Sequence, residues 1–226
     1  MMFELNNVRF SYRSKAYGVR TVFNDCSFLL QSSECVAIAG EEGSGKSTLL
    51  QLMDGLLKPE SGTVRIDDED IWRAPKRLYR IRRRVGFAFQ FPEMQFFCEN
   101  VLEELLVAAK HYAVPVGQDE LNRVLEQCGL PLTVVERSPF MLSMGEARRV
   151  ALASIILHRP DAILLDEPTA GLDAFGMKTV TMLLQRLRTE GKTIALVSHD
   201  RDLIDAIADR VVVLDQGRVA KEEHLR

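Results

Sequence analysis

No stretch of the 226-residue sequence approaches the roughly 20 uninterrupted apolar residues that a helical membrane span requires. The chain is therefore not expected to cross a bilayer by itself. Its first residues, MMFELNNVRFSYRSK, read as too polar for a secretory signal. Cysteine is scarce: Cys26, Cys35, Cys98 and Cys128 lie far apart and form no CxxC pair. That argues against a zinc site or a disulfide framework and for reduced thiols in a cytosolic protein. No internal repeat and no low-complexity tract is visible. Neither sign of charge is in excess, since 29 Lys and Arg face 32 Asp and Glu for a net −3. Whole-chain charge thus gives no reason to expect a nucleic acid partner. What is present is ordinary globular material, 46% hydrophobic and 27% charged, in a chain long enough to bury a substantial core.

Apolar or alternating segments at residues 3–10 and 22–30 read as strands joined by a polar stretch. The run CVAIA stops at Gly40, a glycine-rich loop follows, and a helix is expected over 48–57. Further strands are expected at 64–67 and 85–89. From about 91 to 160 the helical period dominates. Asn100 with Glu103 resembles a capping box. Leu121, Val124, Leu125 and Cys128 keep i, i+3, i+4, i+7 spacing, with Gly129 as the stop. Another helix is expected over 145–158, ending near Pro160. Strands return at 162–165, 193–198 and 211–214, separated by helices at about 176–190 and 200–208. Gln216-Gly217 reads as the turn of a closing hairpin. The pattern predicts one α/β domain, with a core at 1–90 and 161–226 and an inserted helical subdomain at 91–160.

Two motifs carry chemistry. Gly40-Glu41-Glu42-Gly43-Ser44-Gly45-Lys46-Ser47-Thr48 fits GxxxxGK[ST] between a strand and a helix, the context the motif requires. Glycines let backbone N–H groups curl around phosphate, and the helix adds its positive end. Lys46 can reach the β- and γ-phosphates, and the Ser47 hydroxyl can ligate Mg²⁺. The second motif, Ile163-Leu164-Leu165-Asp166-Glu167, ends an apolar strand in two carboxylates. Asp166 suits the Mg²⁺ shell, and Glu167 suits a general base that polarises an attacking water.

Further residues resemble the ATP-binding cassette (ABC) ATPases. Leu142-Ser143-Met144-Gly145-Glu146 is similar to the signature LSGGQ/E, Gln90 to the Q-loop glutamine, Ala170-Gly171-Leu172-Asp173 to the D-loop and His199 to the switch histidine. Tyr12 sits where that family stacks an aromatic on adenine. The resemblance spans essentially the whole chain. It implies a P-loop NTPase of the ABC type, with a mixed central sheet, an N-terminal antiparallel β subdomain and an inserted helical subdomain. It implies ATP and Mg²⁺, with the metal at Ser47, Gln90 and Asp166. The implied catalytic set is Glu167, His199, Gln90 and Lys46. Nucleotide contacts fall to Tyr12, Gly40, Gly43, Ser44, Gly45, Lys46, Ser47 and Thr48, joined by Ser143, Gly145 and Asp173. It also implies a head-to-tail dimer with a second ATPase subunit, a copy or a paralogue, in which Ser143 of one subunit faces the loop of Lys46 of the other.

The run Phe89-Gln90-Phe91-Pro92-Glu93-Met94-Gln95-Phe96-Phe97 is similar to FQFPExQLF of ATPases in energy-coupling factor transporters, which import vitamins or transition-metal ions. That resemblance implies a peripheral motor on the cytoplasmic face of the membrane. Residues 90–97 would meet a membrane coupling subunit, a separate membrane subunit would choose the substrate, and no nucleic acid would take part. Four Phe in nine residues read either as a docking groove or as packed core. The chain stops soon after its last hairpin, where such ATPases carry a longer extension, so the nucleotide-free protein is expected to be monomeric or weakly dimeric. Met144 departs from the signature glycine and could obstruct a phosphate or point away. Glu41 and Glu42 matter little if they face outward and oppose phosphate if they face inward. The basic run at 73–84 reads as a solvated helix face, an anionic-lipid contact or an acidic-partner contact. The alternatives are a non-energy-coupling ABC transporter ATPase, a degenerate ATP-binding cassette with little turnover, and a non-transport ABC ATPase acting on DNA or ribosomes.

Overall fold

A computed structural model describes residues 1–16, 18–73 and 75–225. From the amino end, β1 (Phe3–Ser14) and β2 (Gly18–Leu30) pair as a hairpin. β3 (Cys35–Ala39) runs through the glycine loop into α1 (Lys46–Met53). β4 (Ser61–Ile66), β5 (Glu69–Asp70), α2 (Pro75–Arg82) and β6 (Val85–Ala88) follow. The helices α3 (Val101–His111), α4 (Gln118–Gln127) and α5 (Met144–Leu157) then separate β6 from β7 (Ala162–Asp166). The chain continues through α6 (Ala174–Thr189), β8 (Thr193–Val197), α7 (Arg201–Ile207), β9 (Arg210–Asp215) and β10 (Arg218–His224).

Two sheets result. One is antiparallel in the order β2-β1-β4-β5, and the other runs β10-β9-β3-β8-β7-β6. In the second, β9, β3, β8, β7 and β6 are parallel and β10 is antiparallel. The fold is thus the α/β arrangement expected from the sequence, a mixed sheet beside an antiparallel one. The parallel strands are buried on both faces, which is why they read as unbroken apolar runs. Alternate side chains serve two cores. Cys35, Ala37, Ile163, Leu165, Ile194 and Leu196 face α3, α4, α5 and α6. Val36, Ile38, Ala162, Leu164, Ala195 and Val197 face α1 and the antiparallel sheet. No helix among the described residues is long and apolar enough to cross a membrane.

Several boundaries differ from the sequence expectation for physical reasons. β1 and β2 are longer than their apolar segments, because backbone pairing continues through polar residues to Ser14 opposite Gly18. α1 starts at Lys46 and not at Thr48. Its N-cap Gly45 has φ 108°, a conformation that favours glycine, and an added Cβ would lie 2.9 Å from the Phe23 ring. It stops at Met53, four residues early, with a buried Asp54 as C-cap and Gly55 at φ 70° behind it. The basic run crosses Ala74, which lies outside the described residues, as do Tyr17 and Arg226. The sequence sets no helix bounds within this run, because basic residues dominate it; in α2 Arg77 and Arg80 reach Glu69, and beyond its end Arg84 reaches Asp67 and Asp161. Asn100 caps α3 by accepting from the Glu103 N–H at 2.9 Å.

Candidate functional site

Parallel α/β sheets offer ligands the carboxyl ends of their strands. Here four strands deliver side chains to that one edge. β3 ends at the glycine loop, β6 leads to Gln90, β7 ends at Asp166 and Glu167, and β8 leads to His199. A cleft of about 330 Å³ is lined by Tyr12, Gly43, Gly45, Lys46, Ser47, Thr48, Gln90, Asp166, Glu167 and His199. These are ten of the residues singled out in the sequence. Gly40 and Ser44 do not line it. Gly40 sits at φ 142°, where an added Cβ would lie 2.2 Å from the Leu214 carbonyl oxygen, so it lets the loop leave β3 close to β9. Ser44 is buried behind the loop. Glu41 and Glu42 are both exposed, and Glu42 stands at the cleft mouth.

Lys46 donates from Nζ to the Gly40 and Glu41 carbonyls, 2.8 Å each, so its ammonium is folded back on the loop. The Ser47 hydroxyl hydrogen-bonds the Asp166 carboxylate. Burial raises the Asp166 carboxyl above its ordinary value, while the Ser47 bond and the Lys46 charge oppose the rise. Burial also raises Glu167, whose Oε1 lies 3.4 Å from His199 Nε2; the histidine pulls the other way. Glu167 has φ 52°, a left-handed conformation that costs a non-glycine residue on the order of 1–3 kcal/mol and persists only where surroundings enforce it. Its N–H donates to the Val197 carbonyl at 2.9 Å. A raised carboxyl beside a water-accessible cleft is the disposition of a general base. Ser47 hydroxyl, Asp166 carboxylate and Gln90 amide together form a hard-oxygen donor set of the kind Mg²⁺ takes.

Tyr12 is neither a core aromatic nor free. Its hydroxyl is 3.2 Å from Thr48 Oγ1 and 3.4 Å from Gln51 Oε1, and its ring meets Phe10 edge-on at 4.9 Å. Three cleft residues went unnoticed in the sequence: Arg20, Val22 and Val197, the last residue of β8. Arg20 and Val22 come from β2 because the hairpin register sets Arg20 opposite Tyr12. Only knowledge of that register would have found them.

Ser143, Gly145 and Asp173 do not line the cleft. Ser143 is the N-cap of α5, accepting from the Glu146 N–H at 3.2 Å while its own N–H donates to Glu146 Oε2 at 2.9 Å, a full capping box. Arg137 donates to the same carboxylate at 2.6 Å, and that bond, with the Ser143 N–H, holds Glu146 down at about 2. Asp173 caps α6 by accepting from the Gly176 N–H at 2.7 Å. Met144 is 59% exposed, and its sulfur lies against Gly171, 2.8 Å from where a Cβ there would stand.

The Phe-rich run divides between its two readings. Phe96 enters the core, whereas Phe91, Met94 and Phe97 are 49%, 69% and 70% exposed. Buried Glu104 of α3 shapes this surface, accepting from the Phe97 and Cys98 N–H groups at 3.0 and 2.9 Å. Cys26, Cys98 and Cys128 lie outside any disulfide, and burial pushes the first two thiols up to about 11 and the last to about 12. None is a poised nucleophile.

Comparison with known proteins agrees with this geometry. The family model described as ABC transporter matches residues 23–170. An energy-coupling factor transporter ATP-binding protein, EcfA2, of Thermotoga maritima is 40% identical over 96% of this chain and 81% of its own length. The dimeric ATP-binding cassette MJ0796, in a post-hydrolysis state bound to ADP and Pi, superposes with a TM-score of 0.89 at 29% identity, covering 99% of each chain. The cbiO1 protein from Clostridium perfringens, part of the ABC transporter complex cbiONQ, gives 0.80 at 29% identity over 99% of this chain and 88% of that one.

Proposed function

The chain belongs to the ABC transporter ATPase family, among the energy-coupling factor ATP-binding proteins, and on that premise we propose how its cleft binds and hydrolyses ATP. It is the ATP-hydrolysing motor subunit of an energy-coupling factor type transporter. The observation that carries the residue assignment is the meeting of Lys46, Ser47, Gln90, Asp166, Glu167 and His199 at one sheet edge. Loop N–H groups and the amino end of α1 receive the phosphates, and Lys46 exchanges the Gly40 and Glu41 carbonyls for phosphate oxygens. Ser47, Asp166 and Gln90 would hold Mg²⁺, which neutralises charge on the phosphates when bound. Glu167 orients the attacking water and takes its proton. His199, within reach of Glu167, orients that carboxylate and contacts the γ-phosphate. The Tyr12 ring stacks on adenine.

Ser143 and Gly145 stand at the amino end of α5, away from the cleft. We infer that they serve the nucleotide of a second ATPase subunit, a copy or a paralogue, in a head-to-tail pair with Asp173 near the contact. The exposed Phe91, Met94 and Phe97 meet a membrane coupling subunit, and through it a substrate-binding membrane subunit, at the cytoplasmic face. The cargo class is a vitamin or a transition-metal ion, and no nucleic acid is involved. The division into a core at 1–90 and 161–226 and a helical subdomain at 91–160 is the mechanical form of this reading.

Phosphate release by the purified chain with Mg²⁺-ATP, with Glu167→Gln as blank, tests the catalytic assignment. Turnover in the wild type and at least about a hundredfold less in the variant is expected; equal rates would remove Glu167 from the role. Affinity capture from gently solubilised membranes tests the rest, since recovery of soluble proteins alone would discard the transporter reading.

A further inference from the structure

Arg148, in the second turn of α5, reaches the backbone behind the cleft residues Glu167 and Gln90, and its side chain is buried. Its Nη1 donates to the Glu167 carbonyl at 2.6 Å and to the Ala170 carbonyl, and its Nη2 donates to the Gln90 carbonyl at 2.7 Å. Three acceptors from two separate loops thus converge on one planar group. We propose that Arg148 is a positioning residue for ATP hydrolysis, clamping the Glu167 turn and the Gln90 loop to α5 so that the three move as one body.

Three observations and one point of side-chain geometry support the clamp. Glu167 holds a left-handed backbone, and its carbonyl is one of the three acceptors, so Arg148 is among the groups that enforce that conformation. Ala170 closes the same turn, its N–H donating back to the Glu167 carbonyl at 3.3 Å. Gln90 opens the segment that carries Phe91 and Met94, and the short 3-10 turn Pro92–Met94 packs on α5. Finally, an arginine fork spaces its donors rigidly, which a lysine ammonium cannot copy. Displacement of the exposed Phe91 and Met94 face would thereby reach the backbone of Glu167 without passing through nucleotide. The inference rests on the catalytic assignment of Glu167 above but adds a residue that touches neither substrate nor metal.

The test compares Arg148→Lys, Arg148→Gln and Arg148→Met in the full chain with wild type and Glu167→Gln. In Arg148→Gln and Arg148→Met, kcat is expected to fall about 10- to 100-fold while KM for Mg²⁺-ATP stays within about threefold, because the phosphate loop is untouched. Arg148→Lys should recover part of kcat, since its ammonium can serve one or two of the carbonyls. Amide hydrogen exchange, read without nucleotide, should quicken at residues 90–94 and 167–172 and not across β3 or α1. A folded Gln or Met variant with kcat within about twofold of wild type overturns the proposal. So does exchange that quickens uniformly, or failure of all three variants to fold, either of which makes Arg148 a residue of general stability. A wild type without turnover, or Glu167→Gln as active as wild type, sinks the catalytic assignment instead, and the exchange pattern then still decides whether the clamp exists.

Discussion

At the scale of single residues, the cleft is a balance of burial against charge, and its pH behaviour follows. Glu167 is raised by burial and lowered by His199. A base must be ionised, so kcat should fall as pH drops through a value above the ordinary carboxylate range. Removing His199 removes the opposing pull, so in His199→Ala the acid limb of the kcat profile should move to higher pH. A limb that moves down or stays would detach His199 from Glu167. Met144 is a second residue-scale question. Its side chain is largely exposed and lies on Gly171, so Met144→Gly is expected to change steady-state turnover less than about tenfold. A hundredfold gain would mean that the native methionine cripples the signature. The phosphate loop and the Asp166-Glu167 strand end were legible in the sequence because each is a few contiguous residues with flanks that fix their geometry. Arg20, Val22 and Arg148 were not, because their places depend on a hairpin register and on a helix meeting two loops 58 and 19 positions away in sequence.

At the scale of elements, α1 joins the phosphate loop to a buried carboxyl. Asp54, its C-cap, is pushed up to about 7, by burial first and against the charge of Arg82. An acid whose folded value lies above its unfolded one destabilises the fold where it must stay ionised. That cost is absent below the ordinary 3.8 and fully present above about 7. Asp54→Asn should therefore raise Tm more at pH 8 than at pH 5, with a difference of at least about 2 °C in paired thermal scans. Equal shifts at both pH values would show Asp54 to be uncharged or hydrated throughout. The parallel strands were legible at this scale because burial on both faces makes each a continuous apolar run. α2 was not, since its short span sets Leu78 and Ile81 against the core among closely spaced basic residues that dominate the sequence. The ends of β1 and β2 were not, since pairing outlasts the alternation.

At the scale of the whole molecule, the cleft and the amino end of α5 are separate surfaces of one subunit, and the proposed head-to-tail pair would join them across two subunits. Light scattering of Glu167→Gln with Mg²⁺-ATP is expected to shift mass toward a dimer, and a bulky Ser143→Arg in the same background to prevent the shift. Dimerisation unaffected by that change would remove the signature from the interface. The three exposed side chains Phe91, Met94 and Phe97 have a different consequence. A single subunit carries an adhesive face from the moment it leaves the ribosome, and chaperones and proteases recognise such faces. If that face docks on a membrane subunit as proposed, a pulse-chase should show the chain decaying faster when made alone than when made with that subunit, and Phe91→Ser/Met94→Ser/Phe97→Ser should live equally long in both settings. Abundance of the motor would then be set after synthesis, by how many berths the membrane offers.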